Sequence, residues 1–172
     1  MLQIAQQTLN FLILNNTPPT KNDLTIENSA LNETKWSIFV TLYKDGNIVS
    51  SSGNIKEIEN DLINEIIANT FDAYKKMLSE SISAENIQIR VDFVSQRTLL
   101  QNKSITEINP VSHWVIVIKK TQDKAGVILP NISTNITSWK DFIAALSMKL
   151  WENFEEENYY VYEIATQSFT SF

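Results

Sequence analysis

A turn sequence between two β-rich segments limits the folds open to this chain more than any other feature. Residues 36–43 read Trp-Ser-Ile-Phe-Val-Thr-Leu-Tyr, and Lys44-Asp45-Gly46-Asn47 follows directly. Asp-Gly favours a tight hairpin turn, because both of its residues tolerate a positive φ angle. The pattern therefore predicts an antiparallel hairpin whose return strand begins at Ile48 and ends near Gly53.

Three segments have apolar residues at helical spacing. The first is residues 2–14, and the second is residues 57–77, where Ile58 is the first member of the apolar stripe. Ser138 is a good N-cap for a third helix, because its hydroxyl can accept a bond from an unpaired N–H of the first turn. Helices are therefore expected early, in the middle and late in the chain.

Four further segments are typical of strands. In residues 87–93 apolar residues alternate with Gln88, Arg90 and Asp92, which predicts a half-buried strand with its polar face in water. Residues 113–118, 126–129 and 159–169 complete the set, and residues 97–109 are expected to be loop. The mixture predicts the α+β class, with a mainly antiparallel sheet flanked by helices.

The composition excludes several classes of protein. A chain of 172 residues with 43% hydrophobic content predicts one domain over residues 1–172. The net charge of -6 argues against nucleic-acid binding. With no cysteine and a single histidine, His113, thiolate and multi-histidine metal sites are excluded, and we predict neither a metal nor a cofactor.

The N-terminal region has no pattern of a secretory signal or a membrane span. The apolar run Phe11-Leu12-Ile13-Leu14 is too short for either and has no basic region before it. We therefore expect a cytoplasmic protein that does not contact a membrane.

Short motifs in a fixed order carry a family resemblance over most of the chain. They are Leu2 and Ala5; Ile38-Phe39-Val40-Thr41-Leu42 before the Asp-Gly turn; Val91, Val94 and Ser95; Ala125-Gly126-Val127-Ile128-Leu129-Pro130; Trp139, Phe142, Leu146 and Lys149; and Tyr162-Glu163-Ile164-Ala165 with Phe169. Together they resemble the AMMECR domain family, which implies a compact α+β domain with a cleft.

The family hallmark is lost in this chain. After the Asp-Gly turn the family reads Leu-Arg-Gly-Cys-Ile-Gly, where this chain has Ile48, Val49, Ser50, Ser51, Ser52 and Gly53. The arginine has become Val49 and the cysteine Ser51, and a second family cysteine, in the later helix, is Ser147. Whatever chemistry the hallmark arginine and cysteine perform, this chain cannot perform it in the same way.

Two functions remain open at the level of the sequence. Members of the family often accompany a Memo-like protein and a radical SAM protein, so the resemblance implies a non-catalytic protein that binds a partner or ligand in such a pathway. The alternative is a hydrolase- or transferase-like enzyme with Ser51 or Ser52 as nucleophile. That reaction needs a base, for which His113 is the one histidine.

A ligand surface is predicted from residues at and just after the hallmark positions, together with two residues of the later helix. Its members are Ser50, Ser51, Ser52, Gly53 and Asn54, together with Ser147 and Lys149. Hydroxyl groups, a backbone opened by glycine and one ammonium would suit a small anion.

Structural roles compete with the ligand role at each position. Serines at a strand end often cap backbone groups, and Lys149 suits the negative end of a helix dipole. His113 is expected to be a partly buried structural residue, and Trp139 and Trp151 are expected to cover the core.

Overall fold

The structure is a computed structural model that describes residues 1–34, 36–101, 104–108, 114–121, 124–128 and 136–172. The helices are α1 (Leu2–Asn15), α2 (Leu62–Ser79) and α3 (Trp139–Leu150). The strands are β1 (Ile38–Lys44), β2 (Asn47–Gly53), β3 (Gln88–Leu99), β4 (Trp114–Lys119), β5 (Ala125–Ile128) and β6 (Tyr159–Thr170). The predicted α+β class is confirmed.

The strands form one antiparallel sheet in the order β2-β1-β3-β6-β4-β5. The predicted hairpin is its first pair, with Lys44 opposite Asn47, and β6 is the predicted last strand. Asp45 and Gly46 have φ angles of 51° and 76°, as the Asp-Gly sequence indicated. Strands β2 and β5 are therefore the two edges of the sheet.

The chain divides into two compact units. Unit 1 comprises Met1–Val94 with Gln167–Phe172, and unit 2 comprises Ser95–Thr166. The prediction of a single domain over residues 1–172 stays a prediction. Among the described residues, no helix combines the length and apolarity needed to cross a membrane.

Each unit has its own apolar core. In unit 1 the helices α1 and α2 contribute Leu9, Leu12, Ile66 and others to a cluster with inward residues of β1 and β3. In unit 2 the helix α3 contributes Phe142, Leu146 and Leu150 to a cluster with β4, β5 and β6. Ser138 caps α3 as predicted, because its hydroxyl accepts a bond from Asp141 N.

Two predicted boundaries are wrong. Helix α2 begins at Leu62 and not near residue 57, because Asp61 caps it by accepting a bond from Asn64 N at 3.0 Å. Ile58 consequently lies outside the helix and is 71% exposed. Strand β3 continues to Leu99 through the predicted loop. Its outer half is polar and exposed, so the sequence shows no strand alternation there.

Candidate functional site

The register of β2 with β1 determines which way the side chains and the backbone groups of β2 point. Asn54 N donates to Ile38 O at 3.4 Å, so hydrogen-bonded pairs alternate from that point and Thr41 and Ser51 form a non-hydrogen-bonded pair. Side chains approach closely in such a pair, and the two hydroxyls lie 3.4 Å apart. The backbone of Ser51 faces the open edge, where its carbonyl accepts a bond from Lys76 Nζ at 3.0 Å.

Two of the serines at the hallmark positions attach β2 to α2. Ser50 Oγ donates to Ala73 O at 2.8 Å, and Ser52 Oγ donates to Asn69 Oδ1 at 3.3 Å. Both serines are buried. Their hydroxyls therefore satisfy neighbouring groups of unit 1.

Gly53 is required by a close approach and not by a positive φ angle. A Cβ at this position would lie 2.1 Å from the ring of Phe39 and 2.7 Å from Ile38 O. Close packing is therefore the reason for a glycine at this position. Any side chain here would displace the Phe39 ring.

A buried carboxylate holds the chain that follows β2. Glu65 is 1% exposed, and its Oε1 accepts bonds from Asn54 Nδ2 at 3.0 Å and Asn69 Nδ2 at 3.2 Å. Its Oε2 accepts bonds from the backbone N of Ile58 and Glu59 at 3.1 and 2.8 Å. Sequence reasoning missed Glu65, although an acidic residue next to the apolar stripe of α2 was a visible signal.

The polar face of β3 in unit 1 is buried, against the prediction that it lies in water. Asp92 is 0% and Arg90 is 7% exposed. Arg90 Nε lies 2.9 Å from both carboxylate oxygens of Asp92, and Arg90 Nη2 donates to Ser168 Oγ at 3.2 Å. Ser168 in turn donates to Asp92. The spacing of opposite charges two residues apart on one strand face was the available signal.

Burial governs the electrostatics of this cluster. It raises the pKa of Asp92 above its ordinary value, and the Arg90 guanidinium and the Ser168 hydroxyl oppose that shift. Burial also raises the pKa of the Tyr43 hydroxyl, which contacts Arg90. The register places Thr41 opposite Arg90 on β3 and opposite Ser51 on β2. Ser51 thus shares a sheet face with a charged, buried cluster.

In unit 2 the predicted residues Ser147 and Lys149 hold the end of α3. Ser147 Oγ accepts a bond from Phe154 N at 3.0 Å, which folds the following chain back on the helix. Lys149 Nζ donates to Val127 O at 2.6 Å. Lys119 N donates to Lys124 O, so by alternation Val127 is in a non-hydrogen-bonded pair and its carbonyl faces the open edge of β5.

Helix α3 ends on an exposed tryptophan. Trp151 has φ 56° and ψ 33°, its N–H bonds Met148 O, and Glu152 N bonds Ser147 O at 3.2 Å, which is the Schellman arrangement. Trp151 is 91% exposed and Met148 is 78% exposed. The prediction that Trp151 covers the core is wrong, because Leu150 fills the inward position before the turn. Trp139 does pack on the core of unit 2.

The residue after Trp151 is fixed by two cations. Glu152 Oε1 lies 2.7 Å from Lys119 Nζ, and its Oε2 lies 2.5 Å from Lys124 Nζ. The Tyr159 hydroxyl also donates to this carboxylate. The hydrogen bonds from Lys119, Lys124 and Tyr159 lower the pKa of Glu152 to about 2. This side chain therefore stays ionised at any pH near neutrality.

The predicted ligand surface falls into two groups. Ser50, Ser51, Ser52, Gly53 and Asn54 belong to unit 1, whereas Ser147 and Lys149 belong to unit 2. A joint anion site formed by the two groups stays a prediction. His113, Leu129 and Pro130 lie outside the described residues, so the predicted pairing of His113 with Ser51 or Ser52 stays a prediction too.

Comparison with known proteins identifies a shared fold. The chain is similar to the crystal structure of the uncharacterized protein PH0010 from Pyrococcus horikoshii, with a TM-score of 0.71 and 16% sequence identity. The similarity covers 98% of this chain and 88% of that one. No protein-family model matches the sequence, and no curated protein matches it. At this identity the similarity shows the fold alone.

Proposed function

We propose that this chain is a diverged AMMECR-like domain that binds a partner without catalysing a reaction, in a pathway with Memo-like and radical SAM proteins. The motifs that carry the resemblance coincide with the hairpin, with β5 and with α3. The family hallmark, by contrast, is replaced by serines and a valine at residues 49–52. A domain that keeps its fold and loses its reactive residues is suited to binding.

The observation that carries this proposal is the use of the serine hydroxyls. Ser50 donates to Ala73 O and Ser52 donates to Asn69 Oδ1, and both are buried. Ser51 Oγ lies against the hydroxyl of Thr41. A serine nucleophile needs a base that can accept its proton. A carbonyl, an amide oxygen and a threonine hydroxyl are not such bases, so these contacts favour a structural role.

A reactive-serine probe distinguishes binding from catalysis. Purified protein would be treated with a fluorophosphonate and analysed by intact mass, with Ser51→Ala and Ser52→Ala as matched variants. We expect no adduct, because among the described residues the hydroxyls of Ser51 and Ser52 contact Thr41 and Asn69, neither of which is a base. An adduct on the wild type that one of the two variants abolishes would contradict the proposal and establish the hydrolase- or transferase-like enzyme.

Native affinity capture tests the partner half of the proposal. The tagged wild type would be recovered from lysate of its own host, and the bound proteins would be identified by mass spectrometry. We expect a Memo-like or a radical SAM protein at stoichiometric amounts. Recovery of neither, from cells shown to express both, would contradict the proposed pathway.

The small-anion prediction has its own test. Phosphate, sulfate and acetate would be titrated into the wild type and into Lys149→Ala by calorimetry. Weaker binding by the variant would support an anion site that includes Lys149. Equal and negligible binding by both proteins would refute it and would leave Lys149 as the residue that covers the Val127 carbonyl.

A further inference from the structure

Both outer strands of the sheet have a lysine bonded to a carbonyl that faces outward. Within the described residues these strands are β2 and β5. On β2 the carbonyl of Ser51 accepts a bond from Lys76 Nζ at 3.0 Å, and both residues belong to unit 1. On β5 the carbonyl of Val127 accepts a bond from Lys149 Nζ at 2.6 Å, and both belong to unit 2. The same contact is therefore made once in each unit.

Each lysine comes from the helix that packs on its edge strand. Lys76 lies in the last turn of α2, and Lys149 lies in the last turn of α3. Two buried serines attach β2 to α2, and α3 packs so closely on β5 that a Cβ at Gly126 would meet Leu146 and Leu150. The helix dipole favours a lysine in the last turn, but it does not require that lysine to reach a carbonyl of a neighbouring strand.

The edge strands themselves carry no charge. Residues 46–55, which contain β2, and residues 125–139, which begin with β5, include no charged side chain. An open strand edge is a template for another strand, and proteins block it with charged side chains, lysine above all. Uncharged segments that form β structure are the ones most prone to such pairing. In this chain the neighbouring helices supply the charge that the edge strands lack.

We propose that Lys76 and Lys149, the edge lysines, prevent a second copy of this chain from adding a strand to either edge of the sheet. An incoming strand would need the carbonyl of Ser51 or Val127 as the acceptor for its own backbone N–H. It would have to displace the ammonium and remove water from that charge, which is unfavourable. The inference does not depend on the proposed function, because it concerns contacts between copies of this chain.

The number of open edges determines the kind of assembly that follows when the lysines are removed. A chain with one open edge can pair only with the same edge of a second copy, and such a two-fold contact closes into a dimer. A chain with two open edges can add a copy at each, so assembly continues. Lys76→Met should therefore give dimers through β2, and Lys149→Met should give dimers through β5. The double variant should form larger assemblies.

The stability of the single chain distinguishes this role from a structural one. Both edge lysines are exposed, and an exposed charged contact contributes little to folding because water replaces it. Lys76→Met and Lys149→Met should therefore leave the melting temperature of the dilute protein nearly unchanged. A lysine that supported the fold would lower the melting temperature without causing association.

Sedimentation velocity over a range of concentrations measures the association. Lys75 on α2 and Lys140 on α3 are exposed lysines of the same helices, so their replacement by methionine is the matched control. Both double variants change the net charge from -6 to -8, because two lysines are lost, and this change by itself opposes association. We expect the wild type and the control to stay monomeric. Lys76→Met and Lys149→Met should each dimerise at least about tenfold more tightly than Lys75→Met and Lys140→Met.

Hydrogen exchange locates the contact. By alternation the backbone N–H groups of Ser51 and Val127 also face the open edges, so they should exchange more slowly in the assembled Lys76→Met and Lys149→Met variants, respectively. Lys76→Arg and Lys149→Arg keep a cation of similar reach and should stay monomeric. Equal association of edge and control variants, no association of any variant, or assemblies that leave these amides unprotected would overturn the inference. Association of the arginine variants, or a large fall in the melting temperature of an edge variant, would overturn it too.

Discussion

Two carboxylates of unit 1 are buried and fully bonded, whereas a bonded carboxylate of unit 2 lies near the surface beside an exposed indole. Asp92 and Glu65 are 0% and 1% exposed, and neighbouring side chains and backbone N–H groups satisfy them. Glu152 keeps a side-chain exposure of 25%, and two lysine ammoniums hold it. A carboxylate thus stabilises the interior in unit 1 and fixes backbone near the surface in unit 2.

The difference lies in what the bonded groups hold in place. In unit 1 the bonded groups are the serines of the hallmark positions, Glu65 and the Arg90–Asp92 pair. Each is bonded to neighbouring groups of the same unit, so its removal should lower the stability of the fold. In unit 2 the ion pairs of Glu152 fix the backbone beside Trp151, and the side chain of Trp151 is exposed. Loss of the indole should therefore leave folding intact.

The largest expected effect is on the buried pair. Asp92→Asn leaves the Arg90 guanidinium buried without its counter-charge, and we expect a loss of about 3–5 kcal/mol in the free energy of unfolding. Urea denaturation measures it. The double change Arg90→Leu with Asp92→Leu removes both charges and should cost much less. A loss below about 1 kcal/mol for Asp92→Asn would mean that the cluster is solvated like a surface pair.

Two glycines on strands compare packing in the two units. Gly53→Ala places a methyl group 2.1 Å from the Phe39 ring, and we expect it to cost about 1–3 kcal/mol. In unit 2 the nearest atom to a Cβ at Gly126 is a flexible Leu150 methyl at 3.3 Å. Gly126→Ala should therefore be nearly neutral in the same denaturation assay. Equal losses for the two variants would contradict the tighter packing of unit 1.

One buried hydroxyl in unit 1 departs from the pattern of satisfied groups. Among the described residues, Thr8 Oγ1 is the buried side-chain polar atom without a hydrogen-bond partner. Thr8→Val removes an unsatisfied group at nearly constant shape, so we expect a gain of about 1 kcal/mol. Thr70 is the matched control, because its hydroxyl donates to Ile66 O at 2.7 Å. A gain from Thr70→Val equal to that from Thr8→Val would refute this explanation.

The smallest effect is expected at Glu152, and it depends on pH. Its pKa is lowered from 4.5 to about 2, so it contributes stability above pH 4.5 that is lost as the pH falls toward about 2. The melting temperatures of wild type and Glu152→Gln should therefore differ near neutrality and converge in acid. A constant difference would contradict the assignment.

Local chemistry explains which parts of the fold could be predicted. The Asp45-Gly46 turn and the Ser138 cap depend on a few adjacent residues, and both are confirmed. The start of α2 was wrong because apolar spacing extended past its cap at Asp61.

Long-range packing explains what the sequence did not reveal about the site. Whether Asp92 faces water depends on what packs against β3, which alternation along the strand does not report. Trp151 was placed on the core because aromatic residues are usually buried. The left-handed turn that exposes it involves Ser147, Met148 and Glu152 acting together.

The central claim is that the buried hydroxyls at the hallmark positions support the fold of unit 1. Urea denaturation tests it most directly, with Ser50→Ala and Ser52→Ala each compared with the wild type. We predict that each variant lowers the free energy of unfolding by about 0.5–1.5 kcal/mol, because Ser50 donates to Ala73 O and Ser52 donates to Asn69 Oδ1. Unchanged stability in both variants would contradict the claim.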